Sequence, residues 1–308
     1  MRCKYVKELK EILKVENLQK SYGDFVALKN IDFSVEYGCI TGLLGKNGAG
    51  KTTLIKAIIG LFKHYEGNII YDGERINHND PIIMSTIGSL VDVKFYEDLS
   101  AADNLKILMM ATPGIESKEV KAKVNELLEL VELKKNTTDK VKSFSFGMKQ
   151  RLALAQALIC DTKLLILDEP FVGLDPLGIE LLKQKLRQLC KEKNVAIIFS
   201  SHQLAEISDL SDNILVINNG EIGFSGKYRE LVDNDKKYTI SIDGNLSDED
   251  FSGMNGVVVD EKNREIIIDY NSNSLDSVLV KIHLNKCKIQ KVDIVENALL
   301  KLFTNEIN

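Results

Sequence analysis

Short, uninterrupted apolar runs and longer stretches of helical spacing alternate along most of the chain. Residues 40–44, 163–167 and 195–200 are each almost wholly apolar and too short for buried helices, which predicts strands of a parallel sheet covered on both faces. Ahead of them, residues 13–15, 25–28 and 31–36 alternate between apolar and polar positions, the pattern of short antiparallel strands with one wet face. Residues 67–73 predict another such strand, closed by an Asp72-Gly73 turn. Helical spacing marks residues 53–61, 101–110, 117–133 and 177–191; in the third, Val120, Val124, Leu127, Leu128 and Val131 fall on one face. Residues 93–155 therefore read as a helical insertion between parallel strands. The hairpin signal at 213–224 turns at Asn219-Gly220, and residues 1–13 predict a short amphipathic helix. The polar stretch 77–81 reads as a loop. Past residue 231 the pattern changes to strands at 237–243, 256–260 and 265–270 and helices at 275–284 and 292–303, a small α+β appendage.

The first parallel strand runs directly into Gly45-Lys46-Asn47-Gly48-Ala49-Gly50-Lys51-Thr52, a Gly-x-x-x-x-Gly-Lys-Thr loop between strand and helix. Its glycines let backbone N–H groups converge on phosphate oxygens, and the positive end of the next helix faces the same anion. Lys51 is placed to reach the β and γ phosphates of a nucleoside triphosphate, the Thr52 hydroxyl to ligate Mg²⁺, and Thr53 to touch the α-phosphate. Tyr22, upstream and next to a glycine, suits stacking on a nucleotide base.

The second parallel strand closes on Asp168-Glu169, carboxylates delivered to the crevice where ligands bind in such sheets. Asp168 suits Mg²⁺, and Glu169 suits polarisation of an attacking water. The third strand ends at His202, positioned to donate to charge developing on a γ-phosphate.

Bulk properties narrow the class. The 308 residues are enough for about two domains, and a net charge of −5 argues against a general nucleic-acid binder. Cys3, Cys39, Cys160, Cys190 and Cys287 form no Cys-x-x-Cys pair and read as reduced thiols. Residues 1–14 are too charged for a signal peptide, and no apolar run is long enough to span a bilayer.

With these residues in place, Ser143-Phe144-Ser145-Phe146-Gly147-Met148-Lys149-Gln150-Arg151 decides the resemblance: it is similar to the signature of ATP-binding-cassette (ABC) ATPases. The likeness spans about residues 13–231, with loop, signature, Asp-Glu strand end, Gly173-Leu174-Asp175 turn and switch His202 in family order. The resemblance implies an α/β P-loop NTPase cassette, with a parallel-sheet core, an antiparallel β subdomain and an inserted helical subdomain. Residues 1–12 are then an N-terminal extension and residues 232–308 a C-terminal accessory domain. It further implies that two cassettes, here as a homodimer, meet head to tail around ATP and Mg²⁺. Ser145 and Gly147 of one copy would contact the γ-phosphate on the other, Asp175 would couple the sites, and Lys51, Glu169 and His202 would serve hydrolysis. Asp92 falls where the family usually has a glutamine that links the Mg²⁺ site to the membrane subunit; this shorter, more acidic substitute is expected to accept from metal-bound water, which puts it with Thr52 and Asp168 at the metal. The signature departs from Leu-Ser-Gly-Gly-Gln by carrying Phe146 and Met148, a variant similar to that of bacterial cassettes for peptide-antibiotic export and immunity. The implied partner is a polytopic permease, and the implied location the cytoplasmic face of the cell membrane. The alternatives are a ribosome- or DNA-associated ABC ATPase and a non-hydrolysing nucleotide-binding module.

Overall fold

The computed structural model describes residues 11–76, 86–112, 115–233, 236–244, 246–270, 272 and 274–296. It divides into two compact units, Met1–Ser225 and Gly226–Asn308. In the first unit, β1 (Glu11–Tyr22), β2 (Phe25–Glu36), β4 (Glu66–Tyr71) and β5 (Glu74–Arg75) form an antiparallel sheet in the order β2-β1-β4-β5. The short runs expected at 13–15, 25–28 and 31–36 are in fact parts of two long strands, and residues 11–13 of the expected N-terminal helix begin β1. The remainder of that helix, 1–10, and the expected loop at 77–81 lie outside the described residues.

Two bulges account for the broken alternation. From Val15↔Phe33 to Leu18↔Ile31 the chain advances three residues on β1 against two on β2; from Leu18↔Ile31 to Lys20↔Leu28 the imbalance reverses. The extra residues include Asn17 and Asn30, both at φ 48, a left-handed conformation that asparagine tolerates better than most residues. Each bulge returns the apolar side chains to the inner face, so the strands continue where the sequence alternation stops.

Gly67 on β4 faces the Asn17 bulge at φ 91, and a Cβ there would collide with the backbone carbonyls of Glu16 and Asn17. Gly67→Ala should therefore cost about 2–4 kcal/mol, because strain and a backbone clash add. Urea unfolding measures this, and an unchanged midpoint would contradict the close approach.

The second sheet carries the chemistry. β3 (Ile40–Leu44), β6 (Ile87–Leu90), β7 (Leu164–Leu167), β8 (Ala196–Ser201), β9 (Asn213–Asn218) and β10 (Glu221–Lys227) lie in the order β10-β9-β3-β8-β7-β6. The registers from β9 through β6 are parallel. β7 and β8 are buried at every position, as strands covered on both faces must be. Leu54, Ile55 and Ile58 of α1 (Lys51–Ile58) join residues of both sheets in one core.

The insertion after β6 is helical as expected: α2 (Ala101–Ala111), α3 (Ser117–Leu130) and α4 (Phe146–Ala157), with 3₁₀ turns at Lys134–Asn136 and Val141–Ser143. Ser100 caps α2 by accepting from the Asp103 N–H at 3.0 Å. Val120, Val124, Leu127 and Leu128 are the buried stripe of α3; Val131 is buried just past its end. α5 (Pro176–Lys193) and α6 (Leu204–Leu210) complete the unit's larger helices. Burial pushes the Cys39 thiol up to about 12 and the Cys190 thiol to about 11, which keeps both protonated and poorly nucleophilic.

In the second unit, after α7 (Tyr228–Asp233), β11 (Lys236–Asp243), β12 (Val257–Asp260), β13 (Glu265–Asp269) and β14 (Lys288–Glu296) form an antiparallel sheet in the order β12-β13-β11-β14. With α8 (Leu275–Leu284) it encloses its own core, in which Ile240, Ile266, Ile268 and Val278 are fully buried. The helix expected at 292–303 is corrected in its described part, because residues 292–296 pair with β11 as strand. An apolar run of that length fits either state, and the cross-strand partner decided it.

Candidate active site

The strand order places the functional residues together. β8 lies between β3 and β7, and all three are parallel, so the phosphate loop after β3, the carboxylates after β7 and the histidine after β8 share one edge of the sheet. Gly48 and Gly50 hold φ 83 and 111, and Gly50 is the N-cap of α1. The loop is also shaped from behind. A Cβ on Gly45 would come within 2.6 Å of the Ile217 carbonyl and one on Gly50 within 3.0 Å of the Ala27 carbonyl. Ala49, buried, accepts from the Gly220 N–H at 3.0 Å, while Gly220 accepts from the Lys29 N–H at 2.7 Å.

Lys51 is only 6% exposed, and its Nζ donates to the carbonyls of Gly45 at 2.7 Å and Lys46 at 3.2 Å. Its third neighbour is Glu169 Oε1 at 3.6 Å. These partners satisfy an ammonium whose burial would otherwise be costly. Thr52 Oγ1 donates to Asp168 Oδ2 at 2.7 Å. Ser200 Oγ donates to Asp168 Oδ1 at 2.6 Å and accepts from the Glu169 N–H at 2.8 Å. Glu169 sits at φ 49, a strained conformation for a residue with a side chain. Its carboxylate oxygens lie 2.9 and 3.1 Å from His202 Nδ1. Glu169 thus stands between the lysine and the histidine.

A 430 Å³ cavity opens over this cluster, lined by Tyr22, Phe25, Ala27, the loop residues Lys46, Asn47, Gly48, Gly50, Lys51, Thr52 and Thr53, and Glu169. The Tyr22 ring is held by Phe62, edge-on at 6.0 Å, and by the Lys20 ammonium 5.3 Å from its centroid.

Ser145 and Gly147 line a separate cavity of 360 Å³ with Phe146, Leu174, Asp175 and Gly178; no residue lines both cavities. Ser145 is the N-cap of α4, its Oγ accepting from the Met148 N–H at 3.3 Å. Asp175 caps α5 by accepting from the Gly178 N–H at 2.8 Å, with Pro176 in the first turn. Asp92 lines neither cavity: its carboxylate pairs with Lys56 Nζ at 2.7 Å, which raises the pKa of that lysine.

Comparison with known proteins settles the family. The ABC transporter family model matches residues 28–172. The bacitracin transport ATP-binding protein BcrA of Bacillus licheniformis is 38% identical over 299 residues, covering 96% of this chain and 94% of that protein. This chain belongs to the ABC transporter family. The lantibiotic transport ATP-binding protein SrtF of Streptococcus pyogenes is 39% identical over 218 residues, covering 70% of this chain and 91% of that one. A solved ATP-binding cassette, dimeric in a post-hydrolysis state with ADP and Pi, superposes with a TM-score of 0.65 at 26% identity, over 70% of this chain and 99% of that one. The chain is accordingly the ATP-binding, ATP-hydrolysing subunit of an ABC transporter, with the α/β P-loop cassette fold. No helix among the described residues is long and apolar enough to cross a membrane.

Several contacts of this ABC cassette were not read from its sequence. Ser200 holds the Asp168 carboxylate and the backbone N–H of Glu169, and a polar residue near the end of an otherwise apolar buried strand was the available signal. Phe25 lines the cavity over the phosphate loop together with Tyr22. The Gln150 Nε2 amide donates to the Pro170 carbonyl at 2.8 Å, tying the signature helix to the segment after Glu169. The Phe146 ring lies over Gly173, where a Cβ would come within 2.6 Å of it.

Proposed function

We propose that this ATPase works as a pair of copies on a separate polytopic permease at the cytoplasmic face of the membrane, driving export of peptide antibiotics of the bacitracin or lantibiotic kind. The observation that carries the reading is the 38% identity to a bacitracin transport ATP-binding protein across 96% of this chain, accessory unit included. The shorter match to a lantibiotic transport protein supports the same cargo class.

The chain's own groups supply the cycle. Tyr22 offers a ring face to the adenine, and the loop from Gly45 to Thr53 offers N–H and hydroxyl donors to the phosphates. As a γ-phosphate arrives, Lys51 exchanges its contact with Glu169 for phosphate oxygens. Glu169 is then released to polarise the attacking water, and His202, already beside it, donates to the charge that develops. Thr52 Oγ1 and Asp168 Oδ2, hard oxygen atoms 2.7 Å apart at the loop, fit Mg²⁺, which when bound neutralises phosphate charge. Ser200 keeps Asp168 aimed at that point.

Ser145 and Gly147 lie in a cavity that shares no residue with the phosphate loop, which supports a site completed by the signature of a second copy. Asp175, capping α5 beside them, couples the sites. Asp92 serves as the link to the permease, and its pair with Lys56 offsets the charge it adds relative to a glutamine. In this reading residues 1–12 are an extension, 13–231 the cassette with its helical part at 93–155, and 232–308 the accessory domain.

Co-expression with the permease of a bacitracin or lantibiotic transporter, in a strain sensitive to both peptides, tests the proposal. The minimal inhibitory concentration of at least one such peptide should rise, and Lys51→Ala should abolish the rise. Unchanged sensitivity to all of them, with both proteins in the membrane fraction, would overturn the cargo assignment.

A further inference from the structure

β14 is the outermost strand of the accessory sheet, paired on one side with β11 and with no described strand on the other. Its apolar residues do not end with the core. Val292 is opposite Ile240, and Ile289 opposite Ile242; the β11 partners are buried, whereas Val292 is 50% and Ile289 44% exposed. Opposed residues share a face of the sheet, so the inner face continues uncovered to the edge. Val280 and Leu284 on α8, which packs against β14, are exposed as well.

Edge strands of monomeric proteins are commonly kept short, broken by proline or guarded by charge. β14 spans Lys288–Glu296 without a proline, and its charges are self-complementary. Both lysines, Lys288 and Lys291, precede Val292, and both acids, Asp293 and Glu296, follow it. Laid antiparallel against itself about Val292, the sequence sets position 291 opposite 293 at two symmetric places, a lysine facing an acid each time. An in-register parallel alignment would set lysine on lysine. Lys291 and Asp293 of one strand are already paired at 2.8 Å, so two strands would make a square of four alternating charges beside a central Val292 pair. The one-residue offset in the β11–β14 register falls at Gln290, clear of positions 291–293.

We propose that the β14 edge docks a second copy of this chain, the two strands pairing antiparallel about Val292 into one continuous sheet. Such an interface is isologous, so each contact occurs twice. The association needs no nucleotide, which separates its test from that of ATP-driven pairing.

Sedimentation of the full chain without nucleotide should show a concentration-dependent dimer. Lys291→Glu, which sets acid against acid at two symmetric places, should weaken it roughly tenfold or more. Lys291→Glu combined with Asp293→Lys restores opposite charges and should return most of the affinity, a rescue that mere disruption of the strand could not give. Val292→Cys should cross-link to its own copy under mild oxidation, ahead of Val258→Cys on the opposite edge, where the side chain is 53% exposed. A wild-type chain that stays monomeric, a dimer indifferent to Lys291→Glu, failure of the double swap to rescue, or capture of a different protein by this edge would each overturn the proposal.

Discussion

Glu169→Gln should lower ATP turnover about a hundredfold or more and leave ATP-bound dimers that persist in gel filtration. The amide keeps the size of the side chain but no longer polarises water, a role of the order of 10²–10⁴ in rate. It also removes the negative partner that stands 3.6 Å from Lys51 and 2.9 Å from His202, so binding of the triphosphate need not break a salt bridge. Tighter binding and stalled hydrolysis are therefore one expectation with one cause. Brisk turnover in this variant, measured by phosphate release, would remove Glu169 from the chemistry and transfer its task to another group near the γ-phosphate.

Ser145→Arg should also silence hydrolysis, although Ser145 does not line the cavity of its own phosphate loop. The substitution removes a cap from α4 and fills the place where the proposal puts the partner's γ-phosphate; loss of one such donor typically costs about a hundredfold or more. The informative measurement is a mixture. Lys51→Ala spoils a copy's own loop, and Ser145→Arg spoils the loop of its neighbour. A dimer of one of each has one site with both defects and one with neither. Random assortment of equal amounts should then recover about a quarter of wild-type activity if the sites act independently. Two inactive proteins that remain inactive when mixed, with dimers demonstrably present, would exclude a site shared between copies.

Local chemistry made the phosphate loop, the Asp-Glu strand end and His202 legible in the sequence. Each follows an apolar strand, and the strand's direction dictates where the next residues must lie. The segments whose state the local sequence leaves open depend on partners far away in the chain. Asn17 and Asn30 interrupt the alternation of β1 and β2, and only the cross-strand register shows the interruptions to be bulges rather than strand ends. Residues 292–296 carry apolar side chains at a spacing that suits helix or strand, and pairing with β11, some fifty residues earlier, selects strand. Ser200 is of the same kind: its hydroxyl matters because β7 and β8 are neighbours, which no local spacing records. The composite character of the nucleotide site rested on resemblance, and the structure adds that signature and phosphate loop line separate cavities.

The way the phosphate loop is backed bears on how diverged relatives are to be read. Gly45 and Gly50 are confined by the carbonyls of Ile217 and Ala27, at 2.6 and 3.0 Å from where a Cβ would be, and the β9–β10 turn is fastened to the loop through Gly220. Folding of this chain thus requires those glycines whether or not a nucleotide ever arrives. A descendant that had lost ATP altogether would be expected to keep the glycine spacing while Lys51, Thr52 and Glu169 drifted. In such a lineage the glycines would be a fossil of the scaffold, and the polar residues the living record of catalysis.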